Sequence, residues 1–138
     1  MTTVREIMTT DPIVLKSSTS VKEAAQRMRD ADVGDVIVED SGSLVGVVTD
    51  RDITIRCVAE GTSPESATIW SIASGELHTL SPDDSVDDAV NTMREAAVRR
   101  VPVVENGVAI GVLSIGDLAV AKDPDSVLAD ISAAHGNA

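Results

Sequence analysis

The chain has 138 residues, and 23 acidic side chains against 11 basic ones give it a formal charge of −12. A charge of that sign repels phosphate backbones and anionic headgroups, which argues against general nucleic-acid binding and membrane-surface attachment. Hydrophobic residues make up 43% of the sequence while Trp70 is its one aromatic, so the core is aliphatic and the usual stacking platforms for single strands are missing. A chain near 150 residues buries roughly 68–70% of its unfolded surface, enough to fold without staples. One cysteine, Cys57, excludes an internal disulfide and points to a reducing compartment. The N-terminal Met1 to Glu6 has no apolar run behind it, and no stretch approaches a membrane span, so a soluble cytoplasmic protein is expected.

In chain order, Ile13 to Leu15 reads as a short strand. Ser20 with Glu23 three residues later is a capping-box pattern, and Val21, Ala24, Ala25, Met28 and Ala31 continue it at helical spacing. Val36-Ile37-Val38 and Leu44 to Val48 are β-branched runs joined by a Ser41-Gly42 turn, and Arg51 to Glu60 reads as a helix. A polar connector follows, and then the pattern repeats. Ser85 and Asp88 open a helix striped by Val86, Ala89, Val90, Met93, Ala96 and Ala97. Val101 to Val104 and Val108 to Leu113 flank Asn106-Gly107, a strong hairpin signal, and a helix runs from about Ile115 to Lys122. Pro124 to Ala134 reads as a short helix with Val127, Leu128 and Ile131 on one side, and His135 to Ala138 as a frayed end.

Sliding the sequence against itself by 65 positions superposes Leu15 on Leu80, Ser20 on Ser85, Met28 on Met93, Gly46 on Gly111 and Asp52 on Asp117, with no gap. The chain is therefore expected to be α+β, with two β-α-β-β-α repeats packed about a pseudo-two-fold axis. The expected division is 4–61 for repeat one, 62–68 for the connector, 69–122 for repeat two and 123–138 for the C-terminal helix and tail. Two clefts are expected where the repeats meet.

The chemistry concentrates at the end of each third strand, in Gly46-Val47-Val48-Thr49-Asp50-Arg51-Asp52-Ile53 and Gly111-Val112-Leu113-Ser114-Ile115-Gly116-Asp117-Leu118. One reading is a capping box, since the same hydroxyl-to-acid spacing opens the first helices. The other is a nucleotide site: a helix N-terminus attracts anions, a hydroxyl donates to phosphate, and an ionised carboxylate accepts from ribose hydroxyls.

Both repeats resemble CBS domains, and over about residues 4 to 122 the chain is similar to a stand-alone CBS pair, or Bateman module. The two Gly-h-h-Ser/Thr-x-x-Asp-h segments carry the resemblance. The opening Met1-Thr2-Thr3 to Met8 and Val98-Arg99-Arg100-Val101-Pro102-Val103 are similar to the actinobacterial hypoxic response type. The resemblance implies a sensor without catalysis that takes AMP, ATP, S-adenosylmethionine, NAD(H) or, in some members, a cyclic dinucleotide. It implies ribose contacts from Asp52 and Asp117, ribose or phosphate contacts from Thr49 and Ser114, and apolar flanks to adenine from Ile13, Val36 and Val101. Arg99 and Arg100 match positions that meet phosphate in some members, whereas repeat one has Gly34-Asp35 there. A homodimer acting in trans on a protein target is expected, with neither DNA nor a membrane as partner. The alternative is a ligand-free structural or stress-associated dimer. The arginines then serve an interface or surface ion pairs.

Other clusters have plainer readings. The acids from Asp83 to Asp88 complement a helix dipole and lack the spacing of a calcium loop. His78, His135 and Cys57 form neither a zinc set nor a catalytic set, so no metal or catalytic residue is expected. Cys57 and the two stripe methionines, Met28 and Met93, read as packing residues.

Overall fold

The computed structural model describes residues 2–73, 76–123 and 125–134. In chain order the elements are α1 (Val4–Ile7), β1 (Thr9–Thr10), β2 (Val14–Lys16), α2 (Val21–Ala31), β3 (Asp35–Asp40), β4 (Ser43–Thr49), α3 (Asp50–Ile53), a π-helical turn (Thr54–Val58), α4 (Ile69–Ile72), α5 (Val86–Ala96), β5 (Arg100–Glu105), β6 (Val108–Ser114), α6 (Ile115–Lys122) and α7 (Val127–Ser132). The expected α+β class is found.

The chain forms two compact units, and they are not cut where the sequence repeat is cut. One unit contains residues 1–12 and 78–138, and the other Ile13–Leu77. We call them the C-terminal and the central unit. The division at 61 and 69 followed sequence similarity; packing instead assigns each repeat's leading segment to the other repeat's core. Val4 is fully buried among Val86, Ala89, Met93, Val101 and Leu113 of the C-terminal unit. Ile69 and Ile72 are buried among Leu15, Val21, Met28 and Val36 of the central unit. The backbone bonds obey the same 65-residue relation: Val4 N–H donates to Asp84 O at 2.9 Å, and Ile69 N–H to Thr19 O at 2.9 Å. A glutamate then fixes α1 from outside. Arg5 Nη2 donates to Glu105 Oε2 at 2.5 Å, and that bond, with the Glu105 charge, holds the guanidinium pKa above its ordinary value.

In the central unit the sheet order is β2-β3-β4, with β2 parallel and β4 antiparallel to β3. Ser20 caps α2 by accepting the Glu23 N–H at 3.1 Å, and the stripe buries Val21, Ala24 and Met28. Ala31, expected on that stripe, is exposed at the helix end. The C-terminal unit repeats the plan: Ser85 accepts the Asp88 N–H at 3.1 Å, and Val86, Ala89 and Met93 are buried. Its sheet order is β1-β6-β5, with Leu80 bridging in parallel to Val103. Both hairpins turn through two positive-φ residues, Ser41-Gly42 and Asn106-Gly107, the backbone that matches strand twist.

The helix expected over Arg51 to Glu60 is shorter and irregular. After α3, Thr54 turns its hydroxyl back onto Asp50 O at 3.2 Å, and Ala59 N–H reaches Thr54 O at 2.9 Å in a π turn. Cys57 is fully buried there, its thiol donating to Thr62 O at 3.3 Å. The acids near α5 are spent locally: Asp84 accepts the Ser81 N–H at 2.9 Å, and Asp87 pairs with Lys122. The C-terminal helix runs from Val127 to Ser132 and buries Ala129, while Val127, Leu128 and Ile131 are exposed. The start expected at Pro124 and the frayed residues 135–138 lie outside the described residues.

Strand β1 runs along β6 because Gly111 has no side chain. A Cβ there would stand 2.8 Å from Thr9 O and 2.7 Å from Met8 Sδ. Met8 can swing away, but the Thr9 carbonyl is backbone. Gly111→Ala is therefore expected to destabilise the protein by about 1–3 kcal/mol and to speed amide exchange in residues 8–10, measured by denaturant unfolding and hydrogen exchange.

Candidate functional site: two capped helix starts

In the C-terminal unit, β6 ends at Ser114 and the chain turns directly into α6. Ser114 Oγ accepts the Asp117 N–H at 3.1 Å, and Asp117 Oδ2 accepts the Ser114 N–H at 2.9 Å. In the central unit, Thr49 Oγ1 accepts the Asp52 N–H at 3.2 Å, and Asp52 Oδ2 accepts the Thr49 N–H at 2.9 Å. The two N-caps have nearly the same backbone, φ −107°, ψ 164° at Thr49 and φ −110°, ψ 164° at Ser114. Both candidate motifs are thus complete, reciprocal capping boxes. At Ser20 and Ser85 the hydroxyl half of the box is present.

Capping orients each carboxylate without exhausting it. An ionised carboxylate has about four acceptor sites, and the box uses one. Around Asp117 the remaining capacity meets Thr9, whose hydroxyl lies 3.4 Å from both carboxylate oxygens. Around Asp52 it meets Arg56, with Nε 3.8 Å from Oδ1 and the Asp52 side chain 13% exposed. Arg56 also donates to Ala73 O at 3.3 Å.

The strand register brings a second set of residues to each helix start. Arg100 lies opposite Ser114 across β5–β6, and Ile115 N–H donates to Arg99 O at 2.9 Å. Arg99 is exposed and Arg100 half-buried. Asp35 lies opposite Thr49 across β3–β4, and Asp50 N–H donates to Gly34 O at 2.9 Å. So Arg99, Arg100, Ser114 and Asp117 come together at one end of one sheet, and Asp35, Thr49 and Asp52 at the matching end of the other. The scaffold is shared and the charge is reversed.

Three residues expected beside adenine fare differently. Val36 and Val101 are 0% exposed, each inside its own unit's core, so neither presents a surface to a ligand. Alternation explains the correction: as the second residues of β3 and β5 they point inward with Val38 and Val103. Ile13 is half-buried and packs against the central unit's core.

Sequence reasoning passed over Thr9 and Arg56. Thr9 is 108 positions from Asp117, and nothing local links them; it arrives because the leading segment packs in the other repeat's unit. Arg56 was legible, standing four residues after Asp52 on the same turn.

A family model described as CBS domain matches residues 4–58 and again 69–123. Hypoxic response protein 1 of Mycobacterium tuberculosis is 35% identical over 120 residues, covering 86% of this chain and 84% of that protein. The CBS domain-containing protein YhcV of Bacillus subtilis is 34% identical over 120 residues, covering 87% and 85%. Among solved structures, hypoxic response protein I with two coordinated zinc ions matches with a TM-score of 0.74 at 33% identity, covering 86% of this chain and 98% of that one. The CBS domain pair of protein MJ0100, in complex with 5′-methylthioadenosine and S-adenosyl-L-methionine, matches with a TM-score of 0.76 at 27% identity, covering 86% and 94%.

Proposed function

The chain belongs to the CBS-domain family, as a tandem pair, and from that premise we propose that it is a regulatory sensor that binds an adenosine-containing ligand, without catalysing a reaction on it. The observation that carries this reading is the register of Arg100 opposite Ser114, which brings a basic residue to the strand position across from a helix start that already holds an oriented carboxylate. Asp117 accepts the ribose hydroxyls, Ser114 contacts ribose or phosphate, and Arg99 and Arg100 meet the phosphate charge. Binding to such donors favours AMP or ATP over S-adenosylmethionine, which carries no phosphate. The bound pair of methylthioadenosine and S-adenosylmethionine on the MJ0100 neighbour supports an adenosine ligand. The protein acts as a homodimer on a protein target in trans.

A ligand-free dimer working through protein contacts is the second reading. It is favoured by apolar side chains left at the surface, Trp70 at 55% and Val127 at 76% exposure.

A thermal-shift panel separates the two, using AMP, ADP, ATP, S-adenosylmethionine, NADH and cyclic dinucleotides. A ligand at 100 times its Kd adds about 2.7 kcal/mol of stability, and at least one member of the panel is expected to do so. A panel with no stabilising member contradicts the sensor reading. Within the sensor reading, Arg99→Ala and Arg100→Ala are each expected to weaken AMP binding about 10-fold or more, in line with a lost charge-assisted bond of about 1.5–3 kcal/mol. Both variants should also flatten the salt dependence of AMP binding, measured by calorimetry at two ionic strengths.

A further inference from the structure

Helix α7 is docked inside out. Ser126, Ala129 and Ser132 recur every third residue along its inner side, Ala129 at 2% exposure and the two serines half-buried. Val127, Leu128 and Ile131 share the other side at about 100° per residue, and they face solvent, Val127 at 76% exposure. A surface helix ordinarily buries its large apolar side chains and exposes its small and polar ones.

The packing fixes this orientation. Ser126 N–H donates to Asp123 O at 3.0 Å, and Ser126 Oγ accepts the Ala129 N–H at 3.0 Å, so α7 starts from a capped turn. It then lies against α6, with Ser132 beside Gly116. A Cβ at Gly116 would stand 2.8 Å from Ser132 Oγ and 3.0 Å from Ser132 Cβ, so the approach admits a serine and has no room for a leucine or isoleucine. Turning the apolar side inward is thereby excluded. The charge around that side has one sign: Asp123, Asp125 and Asp130 are exposed, and no Lys or Arg follows Lys122, which pairs with Asp87. Two such helices from two copies would bring like charges together, which disfavours a second copy as the occupant.

We propose that the outer side of α7 is the docking surface for the protein target, and that the target presents a basic amphipathic helix, an apolar stripe flanked by Lys or Arg. Val127, Leu128 and Ile131 pack against the stripe, and Asp125 and Asp130 pair with its flanks. An exposed apolar patch rimmed by charge marks a binding surface, and an acidic rim rejects partners of its own sign. This inference rests on the reading above only for there being a protein target in trans; it needs no adenosine ligand.

The test is a titration of the ligand-free, 15N-labelled chain with two synthetic helical peptides of equal length, one built of Leu and Lys and the other of Leu and Glu. The Leu–Lys peptide is expected to shift the amides of residues 125–132 saturably, and the Leu–Glu peptide to leave them unmoved. Val127→Gln combined with Leu128→Gln keeps the charge and the helix-forming tendency, and should weaken binding of the Leu–Lys peptide about 10-fold or more. Asp130→Asn should weaken it about 1.5- to 5-fold and lower its salt dependence. All three positions are exposed, so both variants should keep the wild-type melting curve. Shifts spread over the acidic surface, or an affinity that the double variant leaves unchanged, overturn the proposal. So does a wild-type dimer that the double variant splits into monomers in sedimentation, which gives the surface to a second copy. Sedimentation with phosphatidylcholine vesicles that the double variant abolishes also overturns it, and gives the surface to lipid. A failed peptide titration beside a nucleotide that stabilises the chain overturns this proposal and leaves the sensor reading standing.

Discussion

Asp117→Ala is expected to abolish the thermal shift that AMP or ATP gives the wild-type chain, while Asp52→Ala leaves that shift intact. Two effects must be kept apart. Asp117 is half of a capping box, so its loss lowers the stability of the ligand-free protein by about 1 kcal/mol, the usual cost of a missing cap. Asp52→Ala removes an equivalent cap in the central unit and carries a similar cost. The pair therefore control for each other. What separates them is the surrounding charge: Arg100 across the strand from Ser114 in one unit, Asp35 across from Thr49 in the other. Asp117→Asn sharpens the comparison. An asparagine oxygen still accepts the Ser114 N–H, so the cap survives, but one of the two carboxylate oxygens becomes a donor and paired acceptance from a ribose diol is lost. Retention of a full AMP shift in Asp117→Ala, with loss in Asp52→Ala, would move the phosphate site to the central unit.

Ile69→Ala is expected to cost about 2–5 kcal/mol of unfolding free energy, read from denaturant titration, and the loss falls on the central unit although Ile69 opens the second repeat in sequence. The side chain is fully buried in the central unit against the first repeat's residues. Its backbone N–H also closes the start of α2 by bonding Thr19 O at 2.9 Å. The neighbouring Trp70→Ala should cost far less, because more than half of that larger side chain faces solvent. An Ile69→Ala cost no larger than that of Trp70→Ala would contradict the exchange of leading segments between the repeats.

Much of this was legible in the residues. The ungapped 65-residue relation located both helices of the α2/α5 type, their serine caps and both hairpins, because each rests on local signals: capping spacing, an apolar stripe and a two-residue turn. It also located Thr49, Asp52, Ser114 and Asp117 at helix starts. What stayed hidden depends on long-range packing. Similarity places Val4 to Met8 at the head of repeat one, but burial of Val4 beside Val101 and Leu113 puts that segment in the C-terminal unit, bringing Thr9 to Asp117. Strand alternation was readable in principle. Applied to β3 and β5, it sends Val36 and Val101 into the core together with Val38 and Val103, leaving them unable to flank adenine. The π turn after α3 was missed because the residue pattern from Arg51 to Glu60 is compatible with an ordinary helix, and nothing local in it marks the shift of the Ala59 N–H to Thr54 O.

A phosphorylated adenine nucleotide, on the function proposed above, binds at the start of α6. Amide chemical-shift mapping with ATP on the 15N-labelled chain tests it most directly. The largest perturbations are expected on Arg99, Arg100 and Ser114 to Asp117, with the Gly116 amide foremost, while Thr49 to Asp52 move little. Saturable perturbations that leave residues 114–117 unmoved, or no perturbation at millimolar ATP, would contradict it.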